Sequence, residues 1–297
     1  MLSRDDVLRR FASVRQAPLA GGHRAPHKPL FLLYLLGTIQ KRTTDEHGPL
    51  VVPYSVADER ISPLIAEFGP PSRTRHRAAM PFYHLDASLW HIQREDLQPR
   101  HAVLRDQGAQ GEFDPDVMAA LQADPSLLIQ IAWRLLVTNF PETYFIPICA
   151  AVGLDLVLPV EPAVAPRAAR SARFRDHVIR AYDHACAFCG YAGMEVLGGI
   201  GLQPVGLAAA HVHWHAYHGP DVVTNGMALC EMHHRLFDRG LLGINEQRRV
   251  IVSPNFSAKD DRSRALVLGL ELREPRTSPD SVADTHFAWH RQQVFRM

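Results

Sequence analysis

The sequence predicts an α+β protein of two domains: a mainly helical, winged-helix-like domain over residues 1–158 and a strand-loop-strand-helix module within residues 173–297, joined by a linker at 159–172. Three observations predict it. Helical apolar periodicity in the first half is interrupted by an aromatic hairpin pattern. Pro159, Pro162 and Pro166 then break all periodicity. Beyond them, two cysteine-containing knuckles stand some forty residues apart, Cys186 to Cys189 and Cys230 to His233. A chain of 297 residues has the length of two ordinary domains. With 46% hydrophobic and 21% charged residues, it excludes a disordered chain.

In the N-terminal half, residues 2–14 and 29–40 carry helical spacing. Phe82-Tyr83-His84-Leu85 and Leu89-Trp90-His91-Ile92 flank Asp86-Ala87-Ser88, which predicts a hairpin. Helices followed by a hairpin give the winged-helix-like reading. Residues 126–138 form a further amphipathic helix, ending before Asn139-Phe140-Pro141, and the proline-rich linker is stiff. The apolar run at 29–37 is too short to cross a bilayer, and residues 1–10 are charged throughout, so neither a membrane span nor a secretory leader is expected. Four cysteines, three of them in the knuckles, imply no disulfide framework and fit a reducing cytoplasm.

Cys186, Cys189, Cys230 and His233 supply four soft or borderline donors, enough to close a tetrahedral structural zinc site. The plainer reading is buried cysteines packing as small hydrophobes. Zinc would stabilise a small module by roughly 10–16 kcal/mol in apparent terms. Between the knuckles, residues 207–212 read as a short strand that delivers His211 to a surface. The polar loop 215–224 contains Gly219-Pro220-Asp221. Asn225-Gly226 follows, and residues 227–230 lead into a helix with His233, His234, Leu236 and Phe237 that stops near Gly240.

Over about residues 186–243, the A-H-x-x-x-H, N-G-x-A-L-C and H-H-R-L-F-D-R-G elements resemble the HNH endonuclease family. The resemblance implies a ββα-metal fold around one divalent cation, and a phosphodiester hydrolase acting on DNA. His211 would be the general base, Asn225 would fix the loop that orients it, and His234 would bind the catalytic Mg2+, Mn2+ or other divalent ion. His233 would be a zinc ligand where many relatives have cysteine. Imidazole suits a base that must be neutral before attack, a divalent ion stabilises phosphoryl charge, and asparagine can brace backbone on both sides of a turn. Many relatives carry a metal-binding aspartate just before the base; here Ala210 stands there, which leaves that ligand position to water, phosphate oxygens or another side chain. His213, His215 and His218 read as polar surface or DNA-facing residues.

The net charge is only +1, but the basic residues are mostly arginine, suited to bidentate phosphate recognition. One cluster is Arg73-Thr74-Arg75-His76-Arg77; another comprises Arg167, Arg170, Arg173, Arg175 and Arg180. Each reads either as a solvated face or, most of all the first, as a phosphate contact. Ala25-Pro26-His27-Lys28-Pro29-Leu30, the P-F-Y-x-L and L-W hairpin and the N-F-P turn are similar to the sulfur-binding domain of phosphorothioate-dependent McrA-type restriction endonucleases, over roughly residues 1–150. That resemblance implies a reader of DNA in which sulfur replaces a non-bridging phosphate oxygen. Sulfur is softer and less hydrated than oxygen, so an apolar cup of Phe140, Pro141 and Tyr144 would accept it. His76 and Arg77 would answer the remaining charge, Arg24 and Lys28 would position the backbone, and arginines such as Arg73 and Arg75 would contact phosphates or guanine edges. The plainer reading of Phe140-Pro141 is a helix-ending turn packed on the core.

Together the two resemblances imply a modification-dependent type IV restriction endonuclease whose partner is double-stranded, phosphorothioated DNA. Because one HNH site cuts one strand, a double-strand break calls for a homodimer or two binding events. Two alternatives stand beside this. One is an HNH nuclease reading a modified base such as methylcytosine, which would need an aromatic cage. The other is a non-catalytic, zinc-containing DNA-binding regulator, favoured by Ala210 and opposed by the presence of His211, Asn225 and His234. In the tail at 250–297, Trp289 and Phe295 predict a helix packing back on the second domain.

Overall fold

The computed structural model describes residues 2–18, 24–42, 48–71, 74–93, 96–156, 165–197, 201–278 and 280–297, with backbone alone at 165–171, 197 and 201. The chain forms two compact units, Met1–Leu158 and Pro159–Met297. Among the described residues no helix is long and apolar enough to cross a membrane.

The first unit is built around a helix that is apolar on nearly every side. α1 (Arg4–Ala12) opens on a capping box in which Ser3 and Asp6 satisfy each other's backbone N–H groups. α2 (His27–Lys41) follows, and its Leu30, Phe31, Leu32, Leu33, Leu35 and Leu36 are all buried. A helix apolar all round belongs at the centre of a domain, and α2 packs on α3 (Tyr54–Phe68), α7 (Pro125–Asn139) and α8 (Phe145–Val152). The remaining helices are α4 (Ala79–Tyr83), α5 (His101–Asp106) and α6 (Pro115–Ala123).

The hairpin expected around Asp86-Ala87-Ser88 is not there. Its first arm starts in helix α4, at Phe82 and Tyr83, and leaves it at His84, and its second arm, β2 (Trp90–Ile92), pairs instead with β3 (Gln110–Phe113). β3 also pairs with β1 (Val51–Pro53), giving an antiparallel sheet in the order β1-β3-β2. Phe82, Leu85 and Leu89 are all buried, at the i, i+3, i+7 spacing of a helical stripe, and four residues are too few to separate that period from alternation. β3 reads Gln-Gly-Glu-Phe and has no apolar alternation to announce it. Its glycine is needed: a Cβ on Gly111 would lie 2.0 Å from the Trp90 indole, which stacks edge-on against Phe31 at 5.1 Å.

In the second unit, α9 (Ala165–Ala181) already begins inside the segment read as linker, so residues 165–172 are helical while 159–164 lie outside the described residues. Pro166 sits in the first turn of that helix, where the missing N–H breaks no hydrogen bond. β4 (Met194–Leu197) and β5 (Gly201–Pro204) form a hairpin. β6 (Leu207–His211) and β7 (Gly226–Cys230) pair antiparallel, with His211 opposite Gly226, and α10 (Glu231–Asp238) leaves directly from β7. β8 (Leu242–Ile244), β9 (Val250–Val252), α11 (Asp261–Leu268) and α12 (Asp284–Gln293) complete the unit. Phe174 and Val178 of α9, Leu207 and Ala210 of β6, Met227 and Leu229 of β7 and Phe237 of α10 share one core. As Trp289 predicts, α12 packs back: Trp289 stacks on His213 at 4.3 Å, and the Ala283 N–H donates to the Thr224 carbonyl.

Candidate functional site

Cys186 and Cys189 lie in the turn after α9, Cys230 ends β7 and precedes α10, and His233 is in the first turn of α10. The four donor atoms all lie within 4.8 Å of one another, with His233 Nδ1 at 3.3 Å from Cys230 Sγ and 3.6 Å from Cys186 Sγ. Ligands bound tetrahedrally at zinc distances stand about 3.5–3.8 Å apart, so three thiols and one imidazole fit a zinc ion. The Cys186 thiol is drawn far below its ordinary pKa, chiefly by its hydrogen bond with Cys230, and is therefore a ready thiolate ligand.

β6 carries His211 as its last residue, and α9 presses close behind it. A Cβ on Gly226 would meet Val178 at 2.4 Å, so only glycine lets the helix approach. That approach stacks the Phe174 ring on the His211 imidazole at 3.9 Å and 15°. His211 Nε2 lies 2.8 Å from Asp221 Oδ1, and Asp221 Oδ2 is 3.7 Å from His215 Nε2. Burial lowers the His211 pKa, with Asp221 opposing it, so the ring is neutral at neutral pH.

Asn225 is completely buried, and its side chain is spent on backbone. Oδ1 accepts from the His213 N–H at 2.8 Å, and Nδ2 donates to the carbonyls of His213 and Pro220 at 2.9 and 3.0 Å. On α10, His234 and Asp238 are one turn apart, with His234 Nε2 3.2 Å from Asp238 Oδ2. Asp238 is buried, and its other oxygen accepts from Trp214 Nε1 at 3.2 Å. Its charge also reaches His211. The unit thus brings a neutral imidazole, a braced loop and a histidine–carboxylate pair to one edge of the β6–β7 ribbon.

In the first unit, His76 and Arg77 lie in one loop held by α3. Ser62 Oγ accepts the N–H groups of Arg77 and Ala78 at 2.8 and 3.1 Å and donates to Asp58 Oδ1 at 2.6 Å. Asp58 Oδ2 is 2.8 Å from His76 Nδ1 and 3.4 Å from His101 Nδ1, and the two imidazoles stack at 3.5 Å. Their donors cluster with Asp58 closely enough for a metal, but nearly parallel rings cannot both point a lone pair at one ion. The Arg77 guanidinium donates to the carbonyls of Thr74, Ile65 and Pro70, closing the C-terminal end of α3. Tyr144 packs on Phe68 at that same end. Phe140 and Tyr144 are each only 3% exposed, which places them in the core and leaves half-buried Pro141 as the reachable member of the expected cup. Arg24 and Arg75 are exposed, and Lys28 is half-buried with its pKa lowered by desolvation. Arg73 lies outside the described residues, as do the side chains of Arg167 and Arg170. Arg175 bonds the Leu207 carbonyl and Arg180 pairs with Asp176, so both serve α9 and its neighbours.

Sequence reasoning missed Asp221, Asp238, Phe174, Asp58 and Ser62. Asp238 lies four residues after His234, a helical spacing that was open to reading; Asp221 sits in an irregular loop with no such signal.

No curated protein matches the chain. It resembles solved structures of the sulfur-binding domains of ScoMcrA and SprMcrA, both complexed with phosphorothioated DNA. The first is 24% identical, with 49% of this chain and 94% of that chain covered at a TM-score of 0.40. The second is 21% identical, covering 52% and 95% at 0.42. The type IV phosphorothioation-dependent restriction endonuclease ScoMcrA is 14% identical over 88% of this chain and 86% of its own, at 0.34. Two family models match. The HNH endonuclease model covers residues 186–245 and takes in the whole zinc cluster together with His211, Asp221, Asn225, His234 and Asp238, while Phe174 lies before it. The ScoMcrA-like DNA sulfur-binding domain model covers residues 4–157, more than half of the chain. The chain therefore belongs to the family with the ScoMcrA-like DNA sulfur-binding domain and carries an HNH endonuclease domain behind it.

Proposed function

We propose that this protein is a modification-dependent, type IV restriction endonuclease that recognises phosphorothioated double-stranded DNA through residues 1–158 and hydrolyses a nearby phosphodiester through residues 173–297. The observation that carries the reading is the union, in one chain, of a sulfur-binding domain with an HNH domain that retains His211, Asn225 and His234.

In this reading His211 takes a proton from the attacking water, and Asn225 holds the loop against which the base is set. His234 and Asp238 would hold a divalent ion, Mg2+ or Mn2+, which would supply stabilisation of charge on the phosphoryl and leaving oxygens. The Cys186, Cys189, Cys230 and His233 cluster holds structural zinc and joins the two ends of the module. In the first unit, the His76–Arg77 loop and Pro141 meet the modified phosphate, with Arg24, Lys28 and Arg75 on flanking backbone. A double-strand break is made by a homodimer, one site per strand, in the cytoplasm where the DNA is.

The test uses His211→Ala, which binds without cutting. Its affinity is compared for duplex pools with and without a phosphorothioate, randomised around the modification, at one near-physiological salt concentration because phosphate contacts are strongly salt-dependent. Much tighter binding of the sulfur-bearing pool is expected. Equal binding refutes sulfur recognition, and continued cleavage by His211→Ala refutes the catalytic assignment.

A further inference from the structure

We propose that Asp221 is a positioning residue of the nuclease site: its carboxylate holds the His211 imidazole by Nε2, so that Nδ1 is the nitrogen that takes the proton from water. The inference rests on the reading of His211 as the base.

Three constraints converge on that ring. Nε2 is engaged at 2.8 Å by Asp221 Oδ1, one face is covered by Phe174 at 3.9 Å, and Nδ1 makes no hydrogen bond among the described residues. An acidic oxygen opposite Nε2 makes that nitrogen the N–H donor, which leaves the basic lone pair on Nδ1. The carboxylate is itself held in place. Asp221 follows Pro220, whose carbonyl is bonded by the buried Asn225 amide at 3.0 Å, so the bracing of the loop is transmitted through one residue to the base.

The step balances without a further reagent. An O–H bond of water breaks and its proton goes to Nδ1, while the water oxygen forms the new bond to phosphorus. The bond from phosphorus to the leaving sugar oxygen breaks, and that oxygen takes a proton from solvent. The imidazolium later returns its proton to solvent, and until then it faces the Asp221 carboxylate. The charged and titratable groups that act on His211 are Asp221 and Asp238, which raise its pKa against the dominant effect of burial, and His215, which lowers it further. Loss of the Asp221 charge therefore makes the base weaker and shifts its titration to lower pH.

The experiment measures single-turnover nicking of a phosphorothioated plasmid by the full chain, wild type against Asp221→Asn and Asp221→Ala, across pH and divalent-ion concentration. Zinc content and thermal melting confirm that each variant is folded. Both variants are expected to cut about 10–100-fold more slowly, a part of the 10²–10⁴-fold of a whole general base. The acid limb of the rate profile should move to lower pH, with DNA affinity and the half-saturating metal concentration unchanged. A wild-type rate overturns the proposal. So does a slower rate with an unmoved acid limb, which would make Asp221 a fold-supporting residue only, and so does a raised metal requirement, which would make it a ligand. Cleavage by His211→Ala would instead remove the base reading on which the proposal stands.

Discussion

Replacing Asn225 tests the loop geometry most directly, because a truncating and an isosteric substitution should fail for different reasons. The side chain is fully buried and makes three hydrogen bonds, one accepted from the His213 N–H and two donated, to the carbonyls of His213 and Pro220. Asn225→Ala removes all three and strands three backbone groups, at a net cost of about 1 kcal/mol each, or about 3 kcal/mol in total. In a unit of this size that lowers the melting temperature by about 10 °C. Asn225→Asp is isosteric and keeps the bond from His213, yet it turns the donor into an anionic oxygen that faces two carbonyls. It should therefore be no more stable than the alanine variant. Urea unfolding followed by tryptophan fluorescence reads both, since Trp214 and Trp289 pack beside this loop, and nicking should fall with stability because Asp221 and His211 lose their brace. An aspartate variant within about 0.5 kcal/mol of wild type would refute the reasoning, since the bonds donated by Nδ2 would then carry no weight.

Three further outcomes follow from the geometry. Cys186→Ser or Cys230→Ser should abolish binding of one zinc per chain, measured by metal analysis, and unfold the second unit, because the ion supplies roughly 10–16 kcal/mol in apparent terms. His27 and His290 are both pushed down to about 4 by burial, so both are neutral when folded and protonate near pH 6.5 when unfolded. Their contribution to stability is complete above about pH 6.5 and is lost as pH falls towards 4, up to about 3 kcal/mol each, and denaturant melts across that window should show it. Asp58→Ala removes the acceptor shared by His76 and Ser62. It should reduce the preference for phosphorothioated over plain duplex by about tenfold, roughly one hydrogen bond to a charged group, in fluorescence anisotropy with the His211→Ala background.

What was legible in the sequence is what chemistry dictates locally. A zinc knuckle needs its donors within one turn, so Cys186, Cys189, Cys230 and His233 announce themselves by spacing, and His211, Asn225 and His234 follow in fixed order between and beside them. The sheet of the first unit depends on one pairing across some sixty residues and another across some twenty, between strands of three or four, one of them the patternless Gln110–Phe113. Phe140 and Tyr144 looked like the wall of a recess by residue type, and only packing against elements such as Phe68 shows that they belong to the core. Asp58 and Asp221 were illegible for another reason: each is one carboxylate among 31 acidic residues, and its role depends on which loop folds over it.

The departure at Ala210 shows how local pattern and tertiary packing combine. Taken as a string, alanine in place of aspartate reads as a lost ligand and favours a non-catalytic protein. In the fold, Ala210 is completely buried, opposite Met227 on the neighbouring strand and within the core that includes Val178 and Leu229. An aspartate there would place an unpaired carboxylate among hydrocarbon, which costs several kcal/mol or forces its protonation. In the proposed reading a carboxylate for the cation comes from another element: α10 offers one at the i+4 position from His234. Asp238 tolerates burial because the Trp214 indole N–H satisfies its second oxygen, and Trp214 is in turn packed against Trp289 of the C-terminal helix. The tail, which carries no catalytic pattern of its own, thereby supports the carboxylate that the proposed reading puts in place of the missing one.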